Sequence, residues 1–282
     1  MATGASNVPS QEIYIGARQR ITRHHWSELW RARDLIWLLA KRDVQLRYRY
    51  SVAGMGWAIF QPVITVMVLS IFQAFFGHRL IGRTPYPLYA MIGLVPWTFF
   101  GHALTQSSSS VLKFTSMIKK VYFPLLVLPL SAVMAATVDF LVALPLVAGL
   151  MLYYGFRPGL ALLMFPVLLL LLLLFTAGIG IWMAMLNTRF RDTANALPFV
   201  MQMWFFLTPI VYATSQVPAR ARLLIGLNPL VGVLEGLRWT LGVGAQPELK
   251  VWILTALALS VLCLGSGLGL WYLQGEAMRE LN

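Results

Sequence analysis

"LALLMFPVLLLLLLLFTAGIGIWMAML" (Leu160–Leu186) carries no Asp, Glu, Lys or Arg, and it includes seven consecutive leucines, Leu168 to Leu174. A helix needs about 20 mostly apolar residues to cross the hydrocarbon of a bilayer, so this stretch reads as a membrane span. Five more apolar stretches flank it. On the N-terminal side they are residues 54–76, 86–105 and 124–154; on the C-terminal side, 194–212 and 250–272. The stretch 124–154 is longer than one hydrocarbon thickness, so it tilts, bends at Pro129 or Pro145, or leaves the lipid at one end. Between the last two spans, Pro218–Leu227 reads as a short helix with Arg220 and Arg222, and Leu230–Leu241 is apolar but too short to cross, which suits a re-entrant or interfacial position. The fold class read from this pattern is an all-α integral membrane protein with six transmembrane helices.

Composition agrees. Hydrophobic residues make up 59% of the 282 residues and charged residues 11%, with a mean hydropathy of +0.72; a soluble domain carries about 25% charged residues. The formal charge of +12 would raise the question of nucleic acid in a soluble chain. Here its distribution fits cytoplasmic loops and anionic lipid headgroups, so no nucleic-acid partner is expected. With the N-terminus inside, fifteen Lys and Arg fall in cytoplasmic segments and seven outside, which places both termini in the cytoplasm. Met1–Ser10 lacks the apolar core of a cleaved signal peptide, so the first span is expected to serve as an uncleaved anchor.

Four regions follow from these boundaries: a flexible segment (1–25), an amphipathic helix (26–53), the membrane domain (54–273) and a cytoplasmic tail (274–282). In the second, Trp26, Leu29, Trp30, Ile36, Trp37, Ala40 and Val44 recur at helical spacing among basic residues, the pattern of a helix lying in the membrane interface.

Chemistry-bearing patterns are few. The phosphate-loop motif G-x-x-x-x-G-K-[S/T] is absent, and His24, His25, His78 and His102 form no metal-binding grouping. Cys263 is the single cysteine and makes neither an internal disulfide nor a metal site. No catalytic residue and no metal is expected. Asp139 is the clearest ionisable group at membrane depth, where such residues are rare; it suits either a transport path or a hydrogen bond to a neighbouring helix. Glu235 and Arg238, three apart in the re-entrant segment, suit a pair on one helix face. Aromatics crowd the span ends, among them Trp57, Phe60, Trp97, Phe205 and Phe206. They suit a headgroup-level belt or a lining on which sugar rings stack. Gly265 and Gly269 form a G-x-x-x-G pair suited to close helix approach.

Four segments, in order, resemble the permeases of type-2 ABC exporters: RYRYSVAGMGWAIFQP (Arg47–Pro62), SMIKKVYFP (Ser116–Pro124), NTRFRDTANALPFVMQMWFFLTPIVY (Asn187–Tyr212) and LNPLVGVLEGLR (Leu227–Arg238). The resemblance covers the chain from about Trp26 onward and extends to the branch that exports O-antigen, capsular or teichoic-acid polysaccharides. It implies a homodimer bound to two copies of a separate ATPase, in a bacterial inner membrane, moving a lipid-linked polysaccharide. ATP and Mg would then belong to the partner, with no cofactor in this chain. The helix at Trp26–Val44 would be the interface helix. Ser116, Met117, Ile118, Lys119, Lys120, Val121, Tyr122 and Phe123 would form the coupling helix that docks into the ATPase. Pro218–Leu241, with Asn228, Pro229, Glu235 and Arg238, would form short outer-face gating helices. The rival readings are a type-2 exporter of a drug or lipid, which shares the fold, and a membrane-embedded transferase.

Overall fold

The fold is almost entirely helical. The computed structural model describes residues 32–49, 51, 54–75, 80–81, 83–115, 124–190, 192–243, 254 and 256–268. In chain order the elements are α1 (Arg33–Tyr48), α2 (Gly56–Phe75), a two-residue hairpin of β1 (Leu80–Ile81) and β2 (Thr84–Pro85), α3 (Tyr86–Lys113) and α4 (Val127–Tyr153). A 3-10 turn (Leu160–Met164) leads into α5 (Phe165–Arg189), followed by α6 (Thr193–Leu207), a second 3-10 turn (Thr214–Gln216), α7 (Ala219–Gly226), α8 (Pro229–Thr240) and α9 (Ala256–Leu268). Among the described residues, four helices are long and apolar enough to cross a membrane: α2, α3, α4, and α5 with its 3-10 turn. The chain is therefore a membrane-spanning one.

The expected six spans are met unevenly. The fifth, placed at 194–212, is helical only to Leu207. Pro209 explains the stop: the residue before a proline is pushed out of the α region, and Thr208 is extended at ψ 130°. At about 1.5 Å per residue, α6 covers about 22 Å, short of the roughly 30 Å of hydrocarbon. Of the sixth, placed at 250–272, the described part is Leu254 and α9; its ends lie outside the described residues, as do residues 1–25 and the tail 274–282.

The second span runs further than expected. The helix continues past residue 105 through Ser107–Ser110 to Lys113, beyond the stretch 86–105 read as the span. Three of the four serine hydroxyls find a carbonyl close by, and that of Ser108 is buried without a partner. Ser109 and Ser110 donate back to Thr105 or Gln106 and to Ser107, while Ser107 donates to Pro129 O of α4 at 3.2 Å. Short side chains that satisfy themselves allow a polar helix turn to be buried against its neighbours. Gly180 of α5 approaches here so closely that a Cβ would lie 3.0 Å from Ser107 Oγ.

Burial is distributed as a lipid solvent dictates. Lipid tails are as apolar as leucine, so apolar side chains gain little by turning inward, and polar or small ones mark the helix contacts. The strongly apolar α2 buries Pro62 and Val66 and turns the rest outward or half outward. The serine- and glycine-containing α3 is the central post, touching α2, α4, α5, α6 and α8. Phe100 of α3 stacks on Phe175 of α5 with centroids 5.6 Å apart, and Trp204 of α6 meets both rings edge-on.

Within the segment 26–53, α1 is helical, and residues 26–31 lie outside the described residues. Its buried stripe is Leu39, Ala40 and Val44, which pack beside Val111, Phe114, Val127, Leu128 and Ala135 of the spans and their ends. Trp37, expected on the apolar face, is exposed together with Leu38 and Leu46. One face of α1 therefore rests on the bundle, and a second apolar face remains open.

The close contact expected at Gly265 and Gly269 occurs elsewhere. A Cβ on Gly265 meets nothing within 4 Å, and Gly269 lies outside the described residues. It is Gly178 of α5 that lies against α9, where a Cβ would be 2.7 Å from Leu264 N and 2.9 Å from Cys263 C. Trp182 Nε1 donates to Ser266 Oγ at 3.2 Å in the same seam. Gly178→Val is expected to force these backbones apart and cost about 1–3 kcal/mol, read as a lower unfolding temperature in detergent. Gly149→Ala, with open space around its Cβ, should leave that temperature unchanged or raised.

Candidate functional site

Two polar centres stand out in this apolar bundle. The first forms where α6 breaks. Ending a helix inside lipid frees carbonyl oxygens that water cannot reach, and such backbone persists only when protein satisfies it. Here Arg238 of α8 supplies the donors. Its Nη1 donates to Pro209 O and to Glu235 Oε1, both at 2.8 Å, and its Nη2 donates to Ile210 O at 3.0 Å. Tyr86 OH of α3 donates to Val211 O at 3.1 Å. The Tyr89 hydroxyl stands 3.3 Å from Tyr212 O and 3.5 Å from Glu235 Oε1, and its single proton serves one of them at a time.

The guanidinium of Arg238 is fully buried, with its Cζ 3.7 Å above the centre of the Tyr89 ring, a favourable site for a desolvated cation. Its charge is matched by Glu235, which also accepts from Thr214 Oγ1 at 2.5 Å. Glycine at position 93 makes room for this: a Cβ there would lie 2.7 Å from Arg238 Nη2 and 3.2 Å from Ile210 O. Arg238 Nε is the donor left without a partner.

Sequence reasoning paired Glu235 with Arg238, and they do pair. It also read this segment as re-entrant or interfacial, and every residue of α8 but Trp239 is buried, with Leu168 of α5 filling the groove at Gly236. Asn228 caps α8, accepting from Leu230 N at 3.1 Å, while its Nδ2 donates to Thr208 Oγ1 at 2.9 Å. Pro229 occupies the first turn, where its missing N–H costs nothing. The exposed part of this region is α7, with Leu224 turned outward.

The second centre is Asp139, on α4. Arg47 Nη1 donates to its Oδ2 and Tyr48 OH to its Oδ1, the latter at 2.7 Å. Both donors come from the last turn of α1. Of the two readings of Asp139, the geometry provides the bond to a neighbouring helix. Burial, chiefly, and the adjoining carboxylate raise the Tyr48 phenol to about 12, so it donates as a neutral hydroxyl. The arginine was discoverable. A lone acid at membrane depth calls for a cation, and Arg47 stands just before the first span; what sequence lacked was the register bringing residues 92 apart together.

Beside this tie lies a cavity of about 240 Å³, lined by Arg47, Tyr48, Trp57, Gln61, His102 and Asp139 among others. The aromatic path candidates fall into two groups. Trp57 meets Phe60 edge-on at 5.4 Å, and both are half exposed on α2. Trp97 is buried and meets Phe205 at 5.7 Å, and Phe205 meets the exposed Phe206 at 5.5 Å. The eight coupling candidates, residues 116–123, lie outside the described residues.

Comparison with known proteins places this arrangement. A family described as ABC-2 type transporter matches residues 34–241. The O-antigen export system permease protein RfbA of Klebsiella pneumoniae is 33% identical over 205 residues, covering 71% of this chain and 77% of the relative. The protein of the same name from Myxococcus xanthus is 31% identical, with 73% and 80% covered. The polysialic acid transport protein KpsM of Escherichia coli is 24% identical, with 69% and 76% covered. The matched range contains both polar centres.

Arg238→Met is expected to destabilise the protein by about 3–5 kcal/mol, because it leaves Glu235 buried without its cation and frees the carbonyls of residues 209 and 210. Asn228→Ala should cost about 1 kcal/mol through loss of the helix cap. Denaturant unfolding in detergent, with parent and variants at equal concentration, checks both the size and the order of these losses.

Proposed function

The chain belongs to the ABC-2 type transporter family, and from that premise we propose that it is the permease subunit of an ATP-driven exporter of a lipid-linked polysaccharide, of O-antigen or capsular type. The observation that carries this reading is the likeness, over about 70% of the chain, to permeases named for O-antigen export and to a polysialic acid transport protein. The architecture fits a conduit. Its polar groups are spent on holding broken and crossing helices together, as at Arg238 and Asp139, and its aromatic side chains collect on α2 and α6.

In this reading the subunit is a transport component and not an enzyme. ATP, with Mg, is bound and hydrolysed by a separate ABC ATPase, and this chain holds no cofactor. Two copies of each subunit assemble in the bacterial inner membrane, with both termini of the permease in the cytoplasm. The lightly buried α2 and α6 support a homodimer, since a two-fold pair builds a central path from one small subunit. Trp57 and Phe60 on α2 and Phe206 on α6 then face the polymer, the second copy or lipid. Residues 116–123 make the contact with the ATPase, led by Lys119 and Lys120. The outer-gate role expected for Pro218–Leu241 falls mainly to the exposed α7, because α8 is core.

Deleting the gene is expected to remove the polymer from the cell surface and leave its lipid-linked form inside. Unaltered surface polysaccharide combined with altered sensitivity to a lipophilic drug would favour the drug-exporter reading. Replacing Lys119 and Lys120 together with Glu is expected to lower transport about tenfold or more and to lower stimulated ATPase activity, with normal insertion; surface polymer by immunoblot and ATPase rates in proteoliposomes check it. Trp57→Ala with Phe60→Ala should slow export without changing the amount of subunit in the membrane.

A further inference from the structure

We propose that α1 is a lever that carries motion from the ATPase-facing end of the bundle to the third and first spans, with Asp139 as its point of grip. The proposal rests on the exporter reading and adds a mechanical route within it. Two holds along the lever are visible. At its middle, Leu39 is buried beside Phe114, and the Arg42 guanidinium lies 4.5 Å above the centre of the Phe114 ring. Phe114 sits at the end of α3, directly before residues 116–123. At its last turn, Arg47 and Tyr48 hold the two carboxylate oxygens of Asp139 separately.

A carboxylate gripped at both oxygens by two side chains of one helical turn resists rotation as well as separation. Arg47 and Asp139 are largely shielded, so solvent does not screen the pair as it would at a surface. Packing along Ala40, Val44 and Ala135 completes a rigid seam between α1 and α4. The first span, in contrast, is loosely held. It buries Pro62 and Val66, and the cavity of about 240 Å³ lies between its start, the grip, α3 and α4. Gly54, between α1 and α2, takes a left-handed φ of +53°, a backbone state that favours glycine. A displacement of α1 therefore moves α4 directly through Asp139, while α2 has room to follow.

The test uses the full subunit reconstituted with its partner ATPase. Cys263 is replaced by Ser, and spin labels are placed at Leu46 of α1 and Leu141 of α4, both exposed. The parent is expected to show one narrow distance distribution, unchanged by ATP, because α1 and α4 travel together. Arg47→Asp and Asp139→Arg should each broaden it and lower transport by about tenfold or more, as loss of one partner from a shielded pair implies. The double exchange should restore both. Asp139→Asn and Tyr48→Phe keep the side-chain volumes and carry the same expectation in milder form, which covers the case in which the reversals fail to insert. Single variants that keep the narrow distribution or transport as the parent does would overturn the lever, and so would a double exchange that inserts normally and restores neither property. A parent that never transports polymer under ATP would instead remove the exporter reading. The distance measurement needs no substrate, so it reports on the grip independently.

Discussion

A polypeptide inside lipid has no water to satisfy a backbone carbonyl, and the structure of this chain follows from that constraint. Where α6 ends at Leu207 and the backbone runs extended, the carbonyls of residues 209 and 210 turn to the guanidinium of Arg238. The carbonyl of residue 211 turns to the Tyr86 hydroxyl. Arginine suits the task because its planar fork offers several donors from one buried group. Glu235 then balances the charge, Thr214 and Tyr89 complete the acid's surroundings, and Gly93 keeps the space clear. A broken helix thus requires a buried cation, and the cation requires its acid.

The same solvent inverts the usual meaning of a hydrophobic pattern. In water an apolar face seeks the core; in lipid it has no such preference, and fine packing and hydrogen bonds decide which helices meet. The helix with serines in its last turns is the central post, and the more uniformly apolar α2 stays at the edge. Small side chains mark the closest crossings: Gly178 against α9, Gly180 against Ser107, and Gly93 against the Arg238 cluster. Loss of bulk at these points lets the backbones approach.

Two levels of rigidity result. The region around α3, α5 and α8 is tied by a buried ion pair and stacked rings, so α8 and the break before it are held to the second span. The region around α2 is held more lightly: α2 buries Pro62 and Val66, and the tie of Arg47 and Tyr48 to Asp139 lies beside its entry. A transport subunit needs both: a frame that keeps its shape across the cycle, and an element free to shift against it.

Much of this was legible in the sequence. Leu160–Leu186 and its neighbours fixed membrane residence, because hydropathy over about 20 residues is a one-dimensional property. Four ordered motifs carried the family, and Glu235 with Arg238 were readable as a pair because they stand one helical turn apart. Three features needed the tertiary structure. The second span reads as ending at residue 105 until Pro129 and Gly180 are seen beside Ser107. α8 reads as re-entrant or interfacial until Leu168 is found against Gly236. Asp139 is ambiguous until Arg47 and Tyr48 arrive from 92 and 91 positions away. Sequence alone determined what the bilayer demands of each segment, since each residue meets lipid or water locally. Only the tertiary structure decided which polar groups answer one another, since a partner across the bundle leaves no periodic trace along the chain.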